Sequence, residues 1–292
     1  MIRFSGGYKK MGKNETRIGL IALDLDGTLL DSGKRLTERA KNALRAAAER
    51  GIHIIPSTGR FYRGIPEEVR DLPFVRYAIT INGALVLDGL TGETVYSADI
   101  SKDTALEVMG FLDTLPVIYD CYMDGWGYMT EAMQQRAEDY IDYAPSLEMV
   151  RRLRSPVPEL KAFLREQGKG VQKMQLFTRD RALRDGLVER LAARWPELIF
   201  TVSLPNNIEI NCLDADKGRA LLALASRLGI PQEKTVAFGD GTNDLAMLRA
   251  AGIGVAMGNA HPDVLAAADR VTADCDHDGV AIAVEELLGL QP

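Results

Sequence analysis

Only three cysteines, Cys121, Cys212 and Cys275, occur among the 292 residues, and no two stand at a paired spacing. That argues against a disulfide framework and a thiolate zinc site, and favours a reducing, cytoplasmic setting. Long apolar runs are missing as well. The longest stretch without Asp, Glu, Lys or Arg is 13 residues, 250–262, whereas a membrane-spanning helix needs about 20 mostly apolar residues. Positive charge is in deficit: 35 Lys and Arg face 41 Asp and Glu, a net charge of −6 with no long basic run. Such a chain keeps itself in solution but does not attract nucleic acid or an anionic membrane. Residues 1–17 carry several basic side chains but no apolar core of the kind a secretory signal needs. Translation could start at Met1 or at Met11, and the extension is expected to be disordered. What remains is 46% hydrophobic and 26% charged, a globular balance at a length that suits two domains.

The chain is organised by alternation. From Ile18 onward, short apolar runs change places with amphipathic stretches, which predicts βα units around a parallel sheet. Residues 18–25, 52–56 and 77–81 read as strands, and 37–50 as a helix with Thr37 at its N-cap. Beyond Asn82 the texture changes. A hairpin is expected at 84–88 and 93–97, then a helix at 102–115, strands at 117–123 and 126–130, and helices at 131–143 and 157–167. A strand at 171–178, a helix at 181–194 and strands at 199–202 and 207–211 follow. Helices at 217–228, 243–250 and 279–288 then alternate again with strands at 235–238, 253–257 and 270–272. The expectation is a doubly wound parallel α/β core over 18–84 and 206–292, interrupted by an inserted α+β unit at 85–205.

Chemistry on such a sheet gathers beyond the carboxyl ends of its strands. The first strand ends in Asp24-Leu25-Asp26-Gly27-Thr28 and the second in Ser57-Thr58-Gly59-Arg60. The strand after the insertion ends in Gly239-Asp240-Gly241-Thr242-Asn243-Asp244, and Lys217 opens a helix. Four carboxylates and one ammonium therefore converge on one sheet edge. Crowded carboxylates raise one another's pKa values unless a cation holds them ionised. An oxygen-rich set of this kind suits Mg²⁺, which shares phosphate oxygens and keeps several waters. Thr58, the Gly59 amide and Lys217 offer donors to an anion. Asp24 is a candidate nucleophile toward a phosphoryl group, and Asp26 a candidate acid and base. Singly, each segment has an ordinary reading as a turn, a solvated helix start or an N-cap. Their joint occurrence, in order and at element ends, outweighs it.

At these residues the sequence resembles the haloacid dehalogenase superfamily of phosphotransferases and, within it, the Cof-type phosphatases. Asp24 through Leu30 is similar to the family's first motif, Ser57 through Arg60 to its second, Lys217-Gly218 to its third and Gly239 through Asp244 to its fourth. Val255 through Ala260 and Asp278-Gly279-Val280 also look like the subfamily. The resemblance implies a Rossmann-like core with an inserted cap that sets specificity. It further implies that Asp24 attacks phosphorus and becomes an aspartyl phosphate, while Asp26 protonates the leaving oxygen and then activates water. Mg²⁺ would be bound by the Asp24 carboxylate, the Asp26 backbone carbonyl and Asp240. Thr58, Gly59 and Lys217 would hold the phosphoryl oxygens with Asn243 nearby, and Asp244 would orient Lys217 or a metal-bound water. Two departures are Ser57, where Ala is common, and Asp216, where Ser or Asn is frequent; Asp216 is expected to weaken the positive field around Lys217.

The expected activity is that of a Mg²⁺-dependent phosphatase acting on a small phosphomonoester: a sugar phosphate, a nucleotide or a cofactor phosphate. No nucleic-acid or membrane partner is expected, and the chain is taken as a monomer or homodimer. A sugar phosphomutase or phosphotransferase of the same fold is the near alternative. A non-catalytic module phosphorylated on Asp24 is the remote one, since it needs neither Asp26 nor a cap. Seven of the 19 aromatics lie within 111–143; they could line a substrate pocket, but the cap's own core is the favoured reading. Met123, Met129, Met133 and Met149 are likewise read as core, and Arg151-Arg152-Leu153-Arg154 as a solvated face. Arg60 either reaches substrate or makes a structural salt bridge. His53, His261 and His277 have no assigned role.

Overall fold

A computed structural model describes residues 18–204 and 206–290; the N-terminal extension, with its expected disorder, lies outside the described residues. The chain opens with β1 (Leu20–Leu23), α1 (Glu38–Glu49), β2 (His53–Pro56), the single turn α2 (Glu67–Arg70), β3 (Tyr77–Thr80), β4 (Leu85–Asp88) and β5 (Thr94–Ser97). It continues through α3 (Lys102–Leu112), β6 (Ile118–Met123), β7 (Trp126–Thr130), α4 (Glu131–Gln135), α5 (Ala144–Leu153), β8 (Arg154–Val157) and α6 (Leu160–Gln167). Next come β9 (Lys173–Phe177), α7 (Arg181–Arg194), β10 (Leu198–Thr201) and β11 (Asn207–Cys212). It closes with α8 (Lys217–Arg227), β12 (Thr235–Gly239), α9 (Leu245–Ala250), β13 (Ile253–Ala256), α10 (Pro262–Ala267), β14 (Arg270–Val271) and α11 (Gly279–Leu288).

The core sheet has the order β14-β13-β12-β1-β2, with every neighbouring pair parallel. Alternation along β1 sends Ile21 and Leu23 into one hydrophobic layer and Leu20 and Ala22 into the other, as a strand covered on both faces requires. Leu44 of α1 and Val284 of α11 fill the first layer; Leu221 and Leu224 of α8 and Met247 of α9 fill the second. Each such fully buried side chain contributes roughly 1.5–3 kcal/mol by leaving water. Because β1 lies between β2 and β12, the connections diverge at its carboxyl end, which makes that end the switch point of the sheet.

The second sheet runs β10-β11-β9-β6-β7-β8, antiparallel except for β7 with β8. Val108 of α3, Leu164 of α6 and Leu191 of α7 pack on one of its faces. The expected division of the chain differs from this pairing at both ends. The hairpin β4–β5 pairs with β3, and the bridge between Ser57 and Ile79 ties β3 to the end of β2. Residues 85–97 therefore extend the core, whereas β11, expected on the core side of residue 206, pairs in the inserted sheet.

Two helices also differ. The helix expected over 131–143 is broken into α4 and a 3₁₀ turn, and α5 starts afresh with Pro145 in its first turn, where a missing amide proton costs nothing. The helix expected from 157 begins at Leu160, because Pro156 and Pro158 disfavour helical backbone before them. Residues 154–157 form an edge strand instead, and Glu159 caps α6 by accepting from the amides of Lys161 and Ala162. No helix among the described residues is long and apolar enough to cross a membrane.

Candidate active site

Asp24 follows β1 directly, and its amide still donates to the Phe238 carbonyl of β12 at 3.0 Å. Its position is thereby fixed by the sheet. The Lys217 ammonium, fully buried in the first turn of α8, donates to Asp24 Oδ1 and to Asp244 Oδ1, each at 2.6 Å. The second oxygen of Asp244 accepts from the amides of Asp240 at 3.1 Å and Gly241 at 3.0 Å, so both its oxygens are committed. Asp240 Oδ1 accepts from the Thr28 hydroxyl at 2.9 Å. Asp24, Asp240 and Asp244 each bring a carboxylate oxygen within 4.8 Å of the others.

Burial pushes the Asp24 carboxyl up to about 7, against the pull of Lys217. Burial also raises Asp240, with the Thr28 hydrogen bond opposing it. Lys217 moves above its usual range, since Asp24 and Asp244 outweigh the burial that would lower it. Three carboxylates thus share one ammonium, an imbalance that a divalent cation removes. Asp24 Oδ2 receives no donor among the described residues, and Asp240 Oδ2 receives only Asn259 Nδ2 at 3.4 Å. The donor set therefore fits Mg²⁺ at Asp24 and Asp240, with Asp244 taken up by Lys217 and two amides. Gly27 makes the approach possible: its φ is +91°, and a Cβ there would lie 2.4 Å from Asp240 Oδ2.

Asp26 is held elsewhere. Arg60 grips its carboxylate with two bonds of 2.8 and 2.7 Å, and Lys34 adds an ion pair at 2.9 Å. Burial works to raise its pKa, but Arg60 and Lys34 outweigh it and hold the group below the usual carboxylate range. The structure does not bring the Asp26 side chain into the Asp24–Lys217–Asp240–Asp244 group, although it lines the same pocket. Of the two readings of Arg60, the salt bridge is the one observed.

Asp24, Asp26, Thr58, Gly59, Asp240 and Asn243 line a cavity of about 380 Å³. Lys217 and Asp244 lie beneath it, fully buried. Asn82 also lines it and escaped the sequence reading. Ile81 and Asn82 both have φ of 54°, which a β-branched residue such as Ile81 seldom adopts. Asn82 Oδ1 accepts from Asn243 Nδ2 at 3.1 Å and sits where a Cβ on Gly59 would reach, 2.9 Å away. The Asn82-Gly83 pair at a strand end was the available signal, a turn dipeptide placed where chemistry gathers. Asp216 caps α8 on the Arg219 amide at 2.8 Å and pairs at 3.2 Å with the Arg219 guanidinium, which it shares with Asp214.

In the insertion, Phe111, Tyr119 and Tyr128 join the helix-covered core and Tyr140 packs in a smaller cluster. Tyr122 instead meets Phe61 of the core at 5.8 Å between rings, and Tyr143 and Met149 line a second, wider cavity. The arginine run is not one solvated face. Arg151 is exposed and paired with Glu138, but Arg154 is buried and bonds Asp120 at 2.6 Å. The correction follows from β8: as a strand beside β7 it turns Arg154 inward over Gly127, where a Cβ would meet the arginine chain at 2.4 Å.

The chain matches the model for haloacid dehalogenase-like hydrolases over residues 21–284. It is 33% identical over 293 aligned positions to the phosphatase YwpJ of Bacillus subtilis, covering 92% of this chain and 99% of that one. It is 29% identical over 272 positions to the 5-amino-6-(5-phospho-D-ribitylamino)uracil phosphatase YcsE of the same organism, covering 93% and 96%. Among solved structures, a haloacid dehalogenase-like hydrolase of Bacteroides thetaiotaomicron superposes with a TM-score of 0.78 at 27% identity, covering 93% and 100% of the two chains. The subclass IIB sugar phosphatase BT4131 superposes with a TM-score of 0.70 at 27% identity, covering 93% and 99%.

Proposed function

The chain belongs to the haloacid dehalogenase-like hydrolases and is a Cof-type phosphatase; from that premise we propose that it hydrolyses a small phosphomonoester with Mg²⁺ through a phosphoryl group carried on Asp24. The observation that carries the reading is Asp24 at the switch point of the sheet, oriented by Lys217 and facing Asp240 across a cavity rimmed with donors. The Asp24 carboxylate attacks phosphorus in line, and the bond to the ester oxygen breaks as the acyl phosphate forms. Asp26 gives its proton to the leaving oxygen. It then takes one from the water that attacks phosphorus and restores the Asp24 carboxylate.

The Thr58 hydroxyl, the Gly59 amide and Asn243 donate to the phosphoryl oxygens, while Lys217 fixes Asp24 and adds positive charge from beneath. Asp26 can carry a proton only after leaving Arg60 and Lys34, and an incoming phosphoryl dianion competes for those two cations. Asp24, Asp240 and the Asp26 backbone carbonyl would hold Mg²⁺, which would neutralise phosphoryl charge and keep Asp24 ionised. Net charge of −6 and three unpaired thiols support a cytoplasmic enzyme for small substrates over one for nucleic acid.

The test is phosphate release from a panel of sugar phosphates, nucleotides and cofactor phosphates, first with MgCl₂ and then with EDTA. Release that EDTA abolishes is expected. Release indifferent to EDTA would remove the metal from this reading, and a panel left intact would remove the small-molecule substrate class.

A further inference from the structure

The inserted sheet has two unlike faces. Along β6, β9 and β11 every second residue is apolar and packs under the helices: Tyr119 and Cys121, Met174 and Leu176, Ile208 and Ile210. The residues between them point the other way. At one end of that face, Ile118 and Phe177 are covered by Val150 of α5. At the other end stand Lys173, Gln175 and Glu209, all lining a cavity of about 950 Å³ between cap and core. This cavity shares Asp26, Gly59, Arg60, Ser203 and Glu209 with the catalytic pocket, so a group leaving from phosphorus would extend beneath these side chains.

Lys173 and Glu209 are paired at 2.7 Å with side chains only 6% and 13% exposed, and the Ser203 hydroxyl donates to the other Glu209 oxygen at 2.8 Å. Each partner keeps spare capacity, two ammonium hydrogens on Lys173 and further lone pairs on Glu209. Lys173 holds Glu209 below the usual carboxylate range although burial opposes it. An ammonium and a carboxylate side by side donate to one hydroxyl and accept from its neighbour.

The same pair carries no net charge to attract a second phosphate. Of the arginines lining the cavity, Arg60 is paired with Asp26, Arg70 with Asp71, and Arg63 lies over the Trp126 ring at 3.5 Å; the exposed Arg152 is the one on which a preference for a bisphosphate would depend. Tyr122 is not open to a nucleobase, being in contact with Phe61 and with the Arg154 guanidinium at 4.6 Å from its centroid, and the ring exposed on the cavity is that of Tyr143.

We propose that Lys173, Glu209 and Ser203 form a hydroxyl-reading subsite that selects phosphate esters of sugars or polyols with vicinal hydroxyls. The inference rests on the phosphatase reading above and narrows its substrate class. It is tested by kcat/KM for four esters: sorbitol 6-phosphate, glucose 6-phosphate, fructose 1,6-bisphosphate and p-nitrophenyl phosphate, which has no hydroxyls. Wild type is expected to favour the first two. Glu209→Gln is expected to lower the ratio of sorbitol 6-phosphate to p-nitrophenyl phosphate about tenfold, the worth of a charge-assisted hydrogen bond.

Ser203→Ala removes one hydroxyl from a loop and serves if Glu209→Gln does not fold; its ratio is expected to fall about threefold. Ratios unchanged in the folded variants, or a wild-type preference for the bisphosphate, overturn the subsite. Failure of wild type to hydrolyse even p-nitrophenyl phosphate strikes instead at the phosphatase reading, and the subsite falls with it.

Discussion

Asp24 and Asp26 stand one residue apart in opposite surroundings. Asp24 is buried with a single shared ammonium, and its proton affinity rises; Asp26 is gripped by two cations, and its proton affinity falls. A regular strand would place residues two apart on the same side; the difference arises because β1 ends at Leu23 and the chain then turns, with Gly27 at φ +91°, so that Asp26 leaves the strand direction and meets Arg60 and Lys34. Asp24→Asn is expected to bring phosphate release down to assay background with an unchanged circular dichroism spectrum. Asp26→Asn is expected to lower kcat about 10²–10⁴-fold, the usual worth of a positioned acid or base. Full activity in Asp26→Asn would transfer the proton role to another group.

Gly83 illustrates how one element holds the site of another. It lies between β3 and β4 with φ of +93°, and a Cβ there would sit 2.2 Å from the Asp216 carbonyl and 2.6 Å from the Lys217 amide. The connection therefore packs backbone to backbone against the start of α8. Gly83→Ala is expected to cost roughly 1–3 kcal/mol in urea unfolding, through strain in the left-handed region and the displaced helix. Activity should fall further than that loss of stability explains, because Lys217 moves with its helix.

In the inserted sheet, Arg154 and Asp120 are both fully buried, with Arg154 also donating to Tyr122. One oxygen of Asp120 and one nitrogen of Arg154 have no hydrogen-bond partner among the described residues. Arg154→Met leaves Asp120 buried alone and is expected to cost about 3–5 kcal/mol. The double change with Asp120→Leu should recover most of that; a double variant no more stable than the single one would show that the pair is not the unit.

At the scale of the whole molecule, the metal is expected to act on folding as well as chemistry. Asp24 follows β1 and Asp240 follows β12, and the two are brought together only in the folded core. Mg²⁺ at about 100 times its dissociation constant should therefore add about 2.7 kcal/mol of stability by linkage. A melting temperature that rises with MgCl₂ in wild type but not in Asp240→Asn is the expected result, read without turnover. Equal rises in both would place the ion elsewhere. The cap meets the core through Tyr122 on Phe61 and through Trp126 under Arg63, contacts that set the roof of the leaving-group cavity.

The sequence by itself determined the layered core and which residues gather at the carboxyl edge of its sheet. Buried parallel strands are short apolar runs whose ends are marked by Asp24, Thr58 and Asp240, so local pattern carries the information. The helix from Arg181 to Arg194 and the helix from Gly279 to Leu288 were legible to the residue for the same reason. Sheet partnership was not legible: strand spacing cannot say that β4–β5 pairs with β3 while β11 pairs with β9, since those contacts are between distant parts of the chain. Nor could composition tell that Arg154 is buried, or that Asp26 faces Arg60. Strands at 117–123, 171–178 and 207–211 were expected, yet Lys173, Gln175 and Glu209 gained meaning only when tertiary structure turned them onto the cavity between cap and core.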